Sequence, residues 1–228
     1  MTLADRIIAF NQNLAFTGKL PRGIRILNPF QESTSVREIS EGFYRKYYND
    51  TRPRKLILGI NPGRLGAGST GIPFTDTKRL QEVCGLAGPE FHTHEPSSVF
   101  IYRMIEAFGG PEAFYSEYYI NSVCPLGFII HKEKTDRWVN YNYYDSPELF
   151  AAVRDFALEK LKEQIGWGMQ TAQVYSLGKK NAKYLRELTK EANLFEKVVP
   201  LDHPRYIVQY KSRQMETYVD KYLQVLGK

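Results

Sequence analysis

The stretch Gly59-Ile60-Asn61-Pro62-Gly63-Arg64-Leu65-Gly66-Ala67-Gly68-Ser69-Thr70-Gly71-Ile72-Pro73-Phe74 decides how this chain is read. It follows Arg54 to Ile60 (RKLILGI), a short apolar run that reads as a buried strand. Five glycines and two prolines then crowd into sixteen residues. Glycine lets backbone come close to a ligand and take positive φ. Proline stiffens a loop and leaves no N–H to satisfy. A polar Asn61 stands at the carboxyl end of the strand. The plain alternative is a long strand-to-helix turn. A phosphate loop would need the spacing GxxxxGK[ST] and its lysine, and both are missing.

Working outward, three more β-rich runs follow at Tyr118 to Val123, Gln173 to Leu177 and Lys197 to Leu201. Between them lie helical patterns. Ser97 to Phe108 has apolar residues at i, i+3 and i+4 spacing. Ser146 with Pro147 reads as an N-cap with proline at the first helical position, opening a helix to about Ile165. Asn181 to Ala192 and Arg213 to Leu226 are further helices, the last ended by Gly227. Strands alternating with helices predict one α/β domain over residues 1–228: a three-layer α/β/α sandwich with a central, mainly parallel four-stranded sheet. Ligands in such sheets bind outside the carboxyl ends of the strands. The chemistry is therefore expected after Ile60, Val123, Leu177 and Leu201. Lys134 to Ser146 (KTDRWVNYNYYDS) is polar and aromatic without period, and reads as a loop packed on its own side chains.

Composition narrows the class. The chain has 228 residues, 43% hydrophobic and 25% charged, the mix of a globular protein with an ample core. No stretch approaches the ~20 apolar residues of a membrane span. The N-terminus lacks the basic region and clean apolar core of a signal peptide, so a cytoplasmic protein is expected. Cys84 and Cys124 are the only cysteines, too few for a four-cysteine zinc or iron–sulfur site, and are expected as buried apolar residues. Lysine and arginine number 31 against 25 acidic residues, a net charge of +6 compatible with a polyanionic partner.

Two later loops carry polar groups at strand ends. Asn121-Ser122-Val123-Cys124-Pro125-Leu126 places an asparagine in an apolar run. A buried amide offers both donor and acceptor, suited to reading the edge of a base or to bonding neighbouring backbone. Asp202-His203-Pro204-Arg205-Tyr206 follows the fourth strand, with Lys211 and Arg213 nearby. That is a basic and aromatic cluster of the kind that nucleic-acid binders use, or a solvated surface.

These segments together resemble the uracil-DNA glycosylase superfamily, closest to its single-strand-selective monofunctional (SMUG-type) branch. That branch has G-M-N-P-G-P-[FY]-G-x-x-x-T-G-[VI]-P-F where this chain has residues 59–74. Asn61, Pro62, Gly63, Gly66, Thr70, Gly71, Pro73 and Phe74 match in order and spacing. Asn121 to Leu126 resembles H-N-x-C-P-L. Val174 to Gly178 resembles V-x-G-x-G, and His203-Pro204 resembles the start of H-P-S. Arg64 and Leu65 depart from the branch, as does HPRYIVQYK after residue 202. The first ~50 residues and the 134–146 segment fall outside the match.

The resemblance implies hydrolysis of the N-glycosidic bond of uracil, or a related deaminated base, in DNA. The base is flipped out of the stack. No metal or other cofactor is implied, nor any membrane, and the partner is DNA, met by a monomer, nucleoid-associated if the chain is bacterial. Asn61 is expected to position the attacking water. His203 is expected to donate to the departing base. Ile60, Gly63 and Leu65 are expected to line the pocket with backbone, Phe74 to stack on the base, and Asn121 to read its edge. Arg64, Arg205, Tyr206, Lys211 and Arg213 are the expected DNA contacts. The departures at Arg64, Leu65 and the second motif leave open a preference for xanthine or hypoxanthine. A non-catalytic nucleic-acid-binding module on the same fold is the alternative of a different class.

Overall fold

The computed structural model describes residues 1–88 and 90–228, and its centre is a sheet of four parallel strands. Among the described residues seven strands form two sheets: β1 (Ile24–Leu27), β2 (Lys55–Gly59), β3 (Tyr118–Ser122), β4 (Gly127–Lys132), β5 (Arg137–Tyr141), β6 (Gln170–Leu177) and β7 (Lys197–Leu201). The central sheet runs β3-β2-β6-β7, with every neighbouring pair parallel. Leu56, Ile57 and Leu58 are buried to within 1% of complete, as in a strand covered on both faces.

The helices are α1 (Leu3–Gln12), α2 (Pro29–Glu32), α3 (Thr34–Tyr48), α4 (Ala67–Thr70), α5 (Thr77–Glu82), α6 (Pro96–Phe108), α7 (Pro111–Glu117), α8 (Pro147–Ile165), α9 (Lys179–Thr189), α10 (Pro204–Tyr210) and α11 (Met215–Leu226). Two tyrosines on β3 show why they form two layers. Successive strand side chains point to opposite faces. Tyr118 packs on Phe108 of α6 and Phe114 of α7, and its hydroxyl donates to the Leu226 carbonyl of α11. Tyr119 packs on Tyr48 of α3 and on Trp167, just beyond α8, which in turn meets Phe10 of α1. One dipeptide thus faces both outer layers, and the architecture is the expected three-layer sandwich.

Local chemistry explains the helix ends. Ser146 caps α8 by accepting from the Leu149 N–H, with Pro147 at the first turn. Gly227 closes α11 with φ 87°. Thr2 and Asp5 form a reciprocal capping box at α1. The unmatched N-terminal fifty residues therefore hold α1, β1, α2 and α3, and α3 contributes much of one aromatic layer. Cys84 and Cys124 are buried and unpaired, and burial pushes the Cys124 thiol up to about 12.

The second sheet corrects the sequence reading. β4 pairs antiparallel with β1 on one side and β5 on the other. The 134–146 segment is therefore not a plain loop. It contains β5, reached through Asp136 in the left-handed region at φ 47°. The strand signal was masked because β5 is an edge strand with a largely exposed face, so no apolar alternation survives.

Candidate active site

A cleft of about 520 Å³ opens where the C-terminal ends of the central strands meet the second sheet. Ile60, Asn61, Phe74, Glu95, His203 and Arg205 line it, together with Gly63, Val139 and Asn140 of β5, and Asn142 of the turn after it. This volume falls in the range of pockets that enclose a small ligand.

Asn61 is fixed by the second sheet. Its Oδ1 accepts from the Tyr143 N–H at 3.0 Å, and its Nδ2 donates to the Tyr141 carbonyl at 3.3 Å. One lone pair of Oδ1 is left for a further donor. The clamp is itself held. The Tyr143 hydroxyl donates to Oδ1 of the buried Asn181, whose Nδ2 donates to the carbonyls of Leu58 and Gly59. The tyrosine-rich segment thus ties the cleft to the end of β2.

Phe74 lies over the same strand end. A Cβ on Gly59 would come within 3.0 Å of its ring, so the glycine makes room for the aromatic. Phe74 has φ 55°, a conformation costly for a bulky residue and characteristic of functional loops. Its ring centroid is 6.4 Å from that of His203.

His203 is the N-cap of α10, and its Nδ1 accepts from the Arg205 N–H at 3.1 Å. Burial, followed by the positive Arg205, pushes the imidazole down to about 4. The ring is neutral at physiological pH, and with Nδ1 accepting, its proton sits on Nε2 as a donor. Asp202 does not orient it. The Asp202 carboxylate pairs with Lys221 at 2.7 Å.

Glu95 was not foreseen. It precedes α6, where its side chain gives the helix no cap. Its N–H donates to Asp76 Oδ2 at 3.1 Å, and its carbonyl accepts from Ser98. The carboxyl lines the cleft, and Oε2 is buried without a partner. A Cβ at Gly66 would fall 1.7 Å from that oxygen. Burial, then the neighbouring Asp76 carboxylate, raises Glu95 to about 7, with Arg205 opposing. The sequence did carry one signal: glutamate-proline at a helix start, where serine, threonine, aspartate or asparagine would cap.

Two expected residues fall elsewhere. Asn121 is not among the lining residues. Its Nδ2 donates to Tyr119 Oη at 2.9 Å and Gln164 Oε1 at 2.7 Å, and its Oδ1 accepts from the Ser122 N–H. The amide is spent on the layer that Tyr119 faces. Counting back from Cys124-Pro125-Leu126, the family's asparagine falls on Ser122 and its histidine on Asn121. Ser122 pairs with Gly59, whose Cβ direction points at the Phe74 ring, so Ser122 shares that face of the sheet, buried and itself outside the lining. Leu65 is also outside the lining and is 45% exposed, because the loop turns outward there.

The basic and aromatic residues lie on two sides of the cleft, Arg64 against β5 and the others on α10 and just beyond it. Arg205 lines the cleft itself. Arg64 donates to the Trp138 carbonyl, and its N–H to Asn140 Oδ1 at 3.1 Å. Tyr206 and Lys211 line an adjoining hollow with Lys179, Lys180 and Lys221, and His203 borders both spaces. Arg213 lies further along, in the groove between α10 and α11. Among the described residues no cluster of histidine, cysteine or carboxylate could hold a metal, and no helix is long and apolar enough to cross a membrane.

Comparison with known proteins adds to this geometry. The family model described as the uracil DNA glycosylase superfamily matches residues 45–227. The single-strand selective monofunctional uracil DNA glycosylase of Bos taurus is 32% identical over 88 residues, 31% of this chain and 32% of that protein. Its counterpart of the same description in Rattus norvegicus is 30% identical over 91 residues, 32% of this chain and 33% of that protein. The match spans about a third of the length of these curated relatives. The crystal structure of Pedobacter heparinus SMUG2 superposes with a TM-score of 0.96 and 49% identity, covering 100% of this chain and 97% of that one.

Proposed function

The chain belongs to the uracil DNA glycosylase superfamily, and from that we propose that it hydrolyses the N-glycosidic bond of uracil or a related deaminated base in DNA. The observation that carries the proposal is the convergence of Asn61 and a neutral, Nε2-protonated His203 on one cleft. In this reading the target base leaves the stack and enters the cleft, at a cost of a few kcal/mol that is smallest in single strands. Phe74 takes one face of the base. The spare lone pair of Asn61 Oδ1 accepts from the attacking water and aims it at C1′. An amide is a poor base, so its contribution is orientation. As the bond breaks, negative charge gathers on the base, and the Nε2–H of His203 donates to the carbonyl oxygen that carries it. A neutral donor suits this task because it needs no protonation beforehand.

Arg64, Arg205, Tyr206, Lys211 and Arg213 form the DNA track in this reading. The cleft and the hollows beside it, lined by Arg205, Tyr206, Lys211 and Arg213, with Arg64 on the β5 side, support a backbone path past the cleft, with binding that weakens as salt rises. A second reading has the enzyme favour a bicyclic base, hypoxanthine or xanthine. It rests on Ser122 standing where the resemblance has a larger asparagine, on the sheet face that Gly59 turns toward Phe74.

The test is alkali-induced strand cleavage of labelled oligonucleotides carrying uracil, hypoxanthine or xanthine, single-stranded and duplex. Base release by the wild type, lost in Asn61→Ala and His203→Ala, supports the proposal. No release from any substrate, with salt-sensitive DNA binding intact, makes the protein a binding module instead.

A further inference from the structure

Among the described residues Glu95 is the one carboxyl lining the cleft, and nothing in the mechanism above employs it. Its backbone is clamped on both sides, by Asp76 and by Ser98, so the side chain leaves from a fixed point. Its Oε2 is buried with no partner, although a buried polar oxygen ordinarily has one. Gly66 supplies the space that this oxygen occupies. Oε2 is turned into the wall at Gly66, which leaves Oε1, held by no hydrogen bond among the described residues, as the carboxyl oxygen that can meet a ligand atom in the cleft.

Its surroundings decide which atom. Asp76, at the N-cap of α5, sits behind it as a buried carboxylate that pairs with Arg79 at 3.2 Å and approaches His94 at 3.7 Å. Arg205 and the neutral His203 face it from the start of α10. Burial and the Asp76 charge favour the protonated form, which carries an O–H that an ionised carboxylate lacks. Deamination converts an exocyclic amino group, a donor, into a carbonyl, an acceptor. An ionised carboxylate repels that carbonyl. A protonated carboxyl, with its O–H on the oxygen that reaches the cleft, donates to it.

We propose that Glu95 is a base-contacting specificity residue whose carboxyl O–H donates to the carbonyl that deamination puts in place of an amino group. The proposal rests on the glycosylase reading and names what the cleft selects: a base with C=O in place of the amino group. Burial holds the His203 imidazole neutral, while burial and the Asp76 carboxylate bring Glu95 to about 7, so Glu95 is the group whose charge is expected to change near neutrality.

Base release from uracil and hypoxanthine strands is to be followed from pH 5.5 to 8.5 for wild type, Glu95→Gln and Glu95→Ala, with melting curves as a folding control. The same proteins are titrated with strands carrying uncleavable 2′-fluoro-deoxyuridine or 2′-fluoro-deoxycytidine. Wild-type kcat/KM should fall by about tenfold per pH unit above 7, as one proton is lost. Glu95→Gln, which keeps a donor beside an acceptor, should stay active and lose the pH dependence. Glu95→Ala should lose about 10²-fold at pH 6, the cost of one donor. Binding should prefer the uridine strand below pH 7 and lose that preference above it in the wild type, but not in Glu95→Gln. A flat wild-type profile, a Glu95→Gln profile parallel to wild type, or a Glu95→Ala enzyme as active as wild type overturns the role of Glu95 while leaving the glycosylase reading standing. No base release, with the pH-dependent uridine preference intact, overturns the glycosylase reading and keeps Glu95 as the selector.

Discussion

The Arg205 N–H donates to Nδ1 of His203 at 3.1 Å, and this one bond sets the tautomer of the imidazole. With Nδ1 committed as acceptor, Nε2 carries the proton. The proline between them makes the arrangement local, because Pro204 starts α10 and turns the Arg205 N–H back toward the residue that caps the helix. His203→Ala should therefore lower base release by about 10²–10³-fold. Stability should fall only by the cost of one helix cap, about 1 kcal/mol, and affinity for undamaged DNA should change little. A parallel fall in melting temperature and DNA affinity would make His203 a structural cap and nothing more.

The pH response has two signs. The folded-state value of His203 lies near 4, so activity should not fall through this group as pH drops from 8 to 5. Glu95 behaves oppositely in stability. Its folded-state value near 7 lies above the ordinary glutamate range, so the native state binds more protons than the unfolded chain between the two values. Stability then falls as pH rises through that window, and the penalty is complete above 7. Glu95→Gln should melt at a higher temperature than wild type at pH 8.5 and at nearly the same temperature at pH 4. Equal differences at both pH values would show that Glu95 is not the group responsible.

Asn121→Asp separates scaffold from readout. Asn121 donates to Gln164 Oε1 and Tyr119 Oη, and a carboxylate there would face an oxygen it cannot bond. The expected loss is about 1–3 kcal/mol in chemical denaturation, the cost of an unsatisfied buried group. Discrimination between uracil and cytosine should not change. A gain of cytosine release would restore Asn121 as the base reader.

Gly66→Ala probes the packing of the glycine-rich loop. A methyl there collides with Glu95 Oε2 and must drive the carboxyl out of its place. Such a fold should survive, since the displaced atom is the end of a flexible side chain. Base release should fall toward that of Glu95→Ala, and the pH dependence above 7 should vanish. A variant with wild-type pH dependence would mean the carboxyl does not occupy that space.

Arg54 and Asp50 give a test of stability alone. The Arg54 guanidinium is fully buried and pairs with Asp50 at 2.9 Å while donating to the Tyr115 carbonyl. Burial would raise the Asp50 carboxyl, but the hydrogen bonds from Arg54 and Arg52 outweigh it and hold it well below its ordinary value. Asp50→Ala leaves an uncompensated buried cation, and about 3–5 kcal/mol should be lost. Wild-type denaturation behaviour would mean that solvent or the carbonyls already satisfy Arg54.

The sequence by itself determined the central sheet, because its signals are local. β2 is a continuous apolar run ended by glycine and proline, and the Ser146-Pro147 cap of α8 can be read from two adjacent residues. It also pointed to Asn61, Phe74 and His203, which stand next to strand ends and carry the family motif. Tertiary structure alone decided the second sheet, since β5 is an edge strand whose pattern appears only against β4. It decided the facing of Asn121 and Ser122, because adjacent strand residues look to opposite faces and a one-residue difference in register exchanges them. It also decided Glu95. A carboxyl is ordinary at a helix start, and its character changes only when Asp76 and Gly66, distant in sequence, close around it and take away its water.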